Sequence, residues 1–135
     1  MLKAFDSHCH LDMDKFDIDR EEVISRAQKA GVRRIVTVAS STETFDRTLR
    51  IAAENEGIYA ALGVSPFEAE SWDELREKVK DVLADDKVVA VGECGLDYYW
   101  DIASPGVQKH CFESQLALAA QSEKPVIIHC RDAWD

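Results

Sequence analysis

Five short apolar runs separated by stretches of helical spacing constrain this chain more than any other feature of it. The runs are Leu2–Asp6, Arg34–Ala39, Ile58–Leu62, Lys87–Val91 and Pro125–Ile128. VVAV at 88–91 and PVII at 125–128 are apolar throughout, as expected for strands covered on both faces. The stretch from Asp19 to about Ala30 places Val23, Ile24, Ala27 and Ala30 on one side and stops at Gly31, with Asp19 and Glu22 in capping-box spacing. From Thr42 to Glu56 the apolar side is Phe45, Leu49, Ala52 and Ala53, ending at Gly57. Ser71 and Glu74 repeat the capping spacing ahead of Leu75, Val79, Val82 and Leu83. Ser104-Pro105 opens a fourth helix in cap-then-proline order, with Phe112, Leu116, Ala119 and Ala120 expected to face inward. Phe45, Trp72 and Phe112 are expected in the core. Strand and helix alternating through short connections predict an α/β fold, a parallel sheet with helices outside it. An open doubly wound sheet and part of a (β/α)8 barrel both satisfy that order. A nucleotide-binding open sheet does not fit, because no Gly-rich loop follows the first strand.

Residues 1–135 are enough for one domain with a core. The longest uncharged apolar runs are far too short to span a bilayer, and the acidic, His-bearing start is no signal peptide. A cytoplasmic protein with no membrane partner is expected. Cys9, Cys94, Cys111 and Cys130 show no CxxC spacing, which fits reduced thiols. The formal charge is −10. A protein that wraps a polyanion shows a basic stripe, and none is visible here.

The chemistry-bearing residues sit where the strands end. His8 and His10 follow the first strand, Glu93 the fourth and His129 the fifth. In a barrel that end of the sheet is the catalytic face. His-x-His on a strand sends both rings to one side, and a carboxylate can bridge two cations. Imidazole with carboxylate and no thiolate favours a divalent ion with open water positions over a closed structural site. Hydrolysis by a metal-bound hydroxide is the reaction class this implies. His110, alone on a helix, is read as a surface residue. The cysteines beside the ligands alternate toward the helix layer and are read as small buried groups. The acidic run Asp12, Asp14, Asp17 and Asp19 lacks the glycine of a calcium loop and is read as a solvated loop ending in a cap.

Three blocks carry a family resemblance: Asp6-Ser7-His8-Cys9-His10-Leu11, Gly92-Glu93-Cys94-Gly95-Leu96-Asp97-Tyr98-Tyr99, and Pro125-Val126-Ile127-Ile128-His129-Cys130-Arg131-Asp132-Ala133. In order and spacing they resemble the TatD metal-dependent deoxyribonucleases, an amidohydrolase-like TIM barrel family. The resemblance implies one to three divalent metal ions (Zn, Mg or Mn) and phosphodiester hydrolysis of DNA, single-stranded or at 3′ ends. It also implies that His8 and His10 hold one ion, Glu93 bridges and His129 holds the other. Asp97 and Arg131 resemble substrate-side or supporting groups, Arg131 offering a fork for phosphate, and Asp6 an orienting partner for a histidine. The family's GxHPH block stands here as Gly63-Val64-Ser65-Pro66-Phe67, without its imidazoles. By the same resemblance the chain is a partial barrel, five β/α units without the C-terminal strands and their ligands. Weak or no activity of the chain alone, and self-association through open barrel edges, are the expected consequences. Two other readings stand beside the nuclease. One is a related metallohydrolase on another ester or amide, such as D-aminoacyl-tRNA; the other is an inactive metal-binding or self-associating half-barrel.

Overall fold

The computed structural model describes residues 3–134; Leu2, at the start of the first expected strand, lies outside them. The elements alternate as β1 (Ala4–Cys9), α1 (Arg20–Lys29), β2 (Val32–Val38), α2 (Phe45–Glu54), β3 (Ile58–Leu62), α3 (Trp72–Val82), β4 (Val88–Asp97), α4 (Pro105–Gln121) and β5 (Val126–Arg131). Every neighbouring pair is parallel, and the order across the sheet is β1-β2-β3-β4-β5. A doubly wound sheet reverses its order at a switch point. Here each strand is laid on the same side of the one before it. That is the winding of a (β/α) barrel, and the described residues form five consecutive strands of its wall with the four helices that connect them. Among the described residues no helix is long and apolar enough to cross a membrane.

Strand alternation sorts the apolar runs between two layers. Ile35, Ile58, Ala60, Leu62 and Val88 meet Ile24, Phe45, Ala52, Trp72 and Val79 in the larger core. Their neighbours Val36, Val38 and Ala61 turn the other way and gather with Ala90, Tyr59, Val89 and Ile127 in a smaller one. A run that is apolar in every position thus serves both faces, the expected economy of a covered parallel strand.

The helices lie close to their predicted spans, α2 starting at Phe45 after a 3-10 turn at Thr42–Thr44, and they differ from expectation in their caps and in the face that α4 turns inward. The Ser104 hydroxyl caps α4 by accepting the Val107 N–H, with Pro105 in the first turn. Neither Asp19 before α1 nor Ser71 before α3 makes the expected side-chain cap bond, and the Asp19 carboxylate lies 3.6 Å from Arg26 instead. The inward face of α4 is the second difference. Its buried residues are Gln108, Cys111, Gln115 and Ala119; Phe112 is only half-buried, and Leu116 and Ala120 are exposed. The two glutamines lie two turns apart on one stripe and exchange hydrogen bonds with backbone that would otherwise be buried unpaired. Gln115 accepts from Val64 N–H and donates to Val64 C=O, both at 2.8 Å. An apolar residue could not satisfy those groups, so polar side chains occupy the core-facing stripe.

Candidate metal centre

His8 on β1 and His10 just past its end bring their ring centroids 5.2 Å apart. Glu93 Oε2 lies 2.9 Å from His8 Nε2 and 3.8 Å from His10 Nε2, and one ligand atom from each of the three lies within 4.8 Å of the others. The other oxygen, Oε1, is 2.6 Å from His129 Nδ1 on β5. One carboxylate therefore addresses two sets of imidazoles with different oxygens.

A regular strand would not have aimed Glu93 this way. Val91 belongs to the helix-side core, so a residue two positions later should face the helices as well. The register with β5 instead shifts between Val91↔Val126 and Cys94↔Ile128, three steps on β4 against two on β5. That extra residue is a β-bulge, and it turns Cys94 outward and Glu93 toward the histidines. β4 also continues to Asp97, well beyond the expected end at Val91, because β5 pairs with it as far as Asp97↔Arg131.

Neighbouring acceptors set the tautomers. His10 Nδ1 lies 2.8 Å from the Val38 carbonyl, which can only accept, so Nδ1 carries the proton and Nε2 offers its lone pair toward Glu93. His129 Nε2 lies 2.8 Å from Asp97 Oδ2. Burial pushes the Asp97 carboxyl up, but the His129 hydrogen bond and the N–H groups of Trp100 and Tyr99 outweigh it and hold it below the usual range. Asp97 thus accepts from Nε2–H and leaves Nδ1 facing Glu93. A neutral imidazole donates from one nitrogen only, so a cation can stand on the Nδ1 side in place of a second proton. Three imidazoles and a two-oxygen carboxylate suit a borderline divalent ion. The sulfurs face elsewhere: Cys9 Sγ and Cys94 Sγ contact the carbonyls of Val36 and Ile127, and burial pushes both thiols up to about 12.

Several expected roles fall to other residues. Asp6 accepts from the His8 backbone N–H at 3.1 Å and does not orient a ring; Val38 and Asp97 do that. Asp97, only 1% exposed, lies behind His129 within hydrogen-bond distance of its Nε2. Arg131 is exposed and, among the described residues, forms no ion pair; its guanidinium lies over the Tyr99 ring. Asp12 is fully buried, in contrast to the solvated loop expected of its acidic run. Its carboxylate accepts from the Ser40 N–H at 2.8 Å and from the Ser40 hydroxyl, tying the loop after β1 to the loop after β2. Asp14 and Asp17 do remain exposed, paired with Arg47 and Arg20. His110 is exposed, as read from sequence.

Gln108 holds the far end of β4 from α4. Its Oε1 accepts from Asp97 N–H at 2.8 Å, and its Nε2 donates to the carbonyls of Asp97 and Ala103 at 2.9 and 2.8 Å. Gln108→Leu keeps the volume and orphans these buried groups, at about 1–3 kcal/mol for a group left unsatisfied. Urea unfolding is expected to show a loss of about 3 kcal/mol; a loss under about 1 kcal/mol would mean that water replaces the amide.

The TatD related DNase family matches residues 5–135. A relative described as an uncharacterized metal-dependent hydrolase, YabD of Bacillus subtilis, is 44% identical over 132 residues, covering 97% of this chain and 52% of its own length. The 3′-5′ ssDNA/RNA exonuclease TatD of Cronobacter sakazakii is 38% identical over 130 residues, 96% of this chain and 49% of that protein. The crystal structure of YJJV, a TatD homolog from Escherichia coli, superposes with a TM-score of 0.87 at 39% identity, covering 95% of this chain and 51% of that one. The chain spans about half the length of the curated relatives it matches. The family match runs through nearly the whole chain, from the first strand past the fifth, and this chain is a member of the TatD related DNase family.

Proposed function

We propose that this chain carries the metal-holding wall of a hydrolase that cuts phosphodiester bonds in nucleic acid, single-stranded DNA with a free 3′ end foremost. The observation that carries this reading is Glu93, whose two oxygens face His8 and His10 on one side and His129 on the other. That arrangement suits one ion on each side of the carboxylate, Zn, Mn or Mg, and the family membership supports a divalent-metal hydrolase. When bound, such ions lower the pKa of water toward ~7 and polarise a phosphoryl oxygen. The chain's own residues do the rest. His8 and His10 hold one position, with His10 fixed by Val38; Glu93 spans both; His129 holds the other, fixed by Asp97. Arg131, two residues beyond His129, exposed and lying over the Tyr99 ring, offers a planar fork to a phosphate oxygen.

The test compares turnover of single-stranded DNA bearing a free 3′ end, the same strand with a blocked 3′ end, and a D-aminoacyl-tRNA ester, at matched Mn and Zn. Metal-dependent loss of 3′ nucleotides from the first strand alone is expected. Cleavage of the aminoacyl ester with the DNA untouched would move the site to another substrate class. Metal titration of a His8→Ala, His10→Ala double variant that matched the wild type would remove the metal assignment itself.

A further inference from the structure

Tyr99 and Trp100 follow β4 at the C-terminal edge of the sheet, 53% and 50% exposed, whereas Trp72 and Phe45 are buried. Their rings meet edge to face, centroids 4.8 Å apart at 87°. Arg131 Cζ lies 3.8 Å from the Tyr99 centroid and 5.5 Å from that of Trp100. The group is anchored and not a loose loop. Asp97 Oδ1 accepts the backbone N–H of Tyr99 at 3.1 Å and of Trp100 at 3.2 Å, while Oδ2 of the same carboxylate meets His129. Tyr98 N–H donates to the Arg131 carbonyl at 2.9 Å. A single buried carboxylate thus sets the position of an expected metal-holding imidazole and of an open aromatic pair together.

We infer that Tyr99, Trp100 and Arg131 form a stacking platform for a nucleobase of a single strand, beside the phosphodiester held at Glu93 and His129. This rests on the nucleic-acid reading above and names how that substrate is gripped. Every base has a π-face, so a platform of rings and a guanidinium plane binds a strand without reading its sequence. The local charge favours stacking over ion pairing as the source of affinity. Asp101 and Asp132 flank the cluster in sequence, Arg131 is its one cation, and the chain as a whole carries −10. Binding should therefore depend on salt as shallowly as about one phosphate contact requires.

Fluorescence anisotropy of a cleavage-resistant phosphorothioate oligothymidylate, against an abasic strand of the same length, tests this with Mn present. The wild type is expected to prefer the base-bearing strand about tenfold or more. Tyr99→Ala, Trp100→Ala should bring that ratio close to one, and Tyr99→Phe, Trp100→Phe should keep most of it. Should the double alanine variant fail to fold, Trp100→Ala alone carries the test with at least a threefold fall, since Asp97 meets only the Trp100 backbone. A ratio unchanged by alanine overturns the platform and leaves the nucleic-acid reading standing. A wild type that binds neither strand overturns both.

Discussion

Gly95→Ala is expected to unseat β5 from β4 and to lower stability by about 4 kcal/mol, a fall of about 10 °C or more in melting temperature. Gly95 pairs with His129 across the two strands and sits at φ +148°, where L side chains are strained. A Cβ there lands on the carbonyl oxygen of His129 itself. Backbone offers no rotamer by which to move aside, so the strands must separate, and His129 leaves Glu93 as they do. Gly106→Ala serves as the opposite case. It lies in the first turn of α4, and an added Cβ meets nothing within 4 Å. Alanine there should stabilise by up to about 1 kcal/mol through a less flexible unfolded chain. Thermal unfolding of both variants decides the matter. Equal melting temperatures would show that the β4–β5 contact tolerates a methyl group and that the glycine of the GExGLD block has another purpose.

The strand–helix order and the gathering of His8, His10, Glu93 and His129 at one end of the sheet were legible because both rest on periodicity. Apolar runs and helical faces recur at fixed spacing, and His-x-His needs only a strand to put two rings on one side. What periodicity could not show is where it breaks. The extra residue between Val91 and Cys94 reverses the facing of β4, so Glu93 points inward for a reason that depends on its pairing with β5. The partners of polar side chains were hidden likewise. Gln108 and Gln115 stand outside the apolar face expected of their helix, and backbone from distant segments, Asp97 and Val64, is what requires them in the core. Asp12 reads as solvated within its acidic run, and only the approach of Ser40 from the next loop explains its burial. The orienting partner of His10 is a backbone carbonyl, which carries no sequence signal at all. Charge and spacing locate ligand types, whereas the shell that aims them is written in the tertiary contacts.

That division between ligands and the groups that aim them predicts an ordering of metal affinities. Glu93→Gln should weaken every ion the chain holds, because its two oxygens face both sets of imidazoles. The amide keeps the shape but loses the charge, and its nitrogen is a donor that repels a cation, so only one oxygen remains to coordinate. His129→Ala should spare the position beside His8 and His10, and the His8→Ala, His10→Ala pair should spare the position beside His129. Asp97→Asn removes no expected ligand. It replaces an acceptor of the His129 Nε2 proton by a side chain that can present either an oxygen or an NH2, and such outer partners are worth about 10–100-fold in affinity. Loss of Glu93 should exceed that, at least about 100-fold, in isothermal titration with Zn or Mn. The order expected is Glu93→Gln below either histidine set, and Asp97→Asn above them all. A Glu93→Gln variant that binds as tightly as Asp97→Asn would mean that the carboxylate pairs with protonated histidines and spans no ions, and the centre would then be a hydrogen-bonded cluster on the barrel wall.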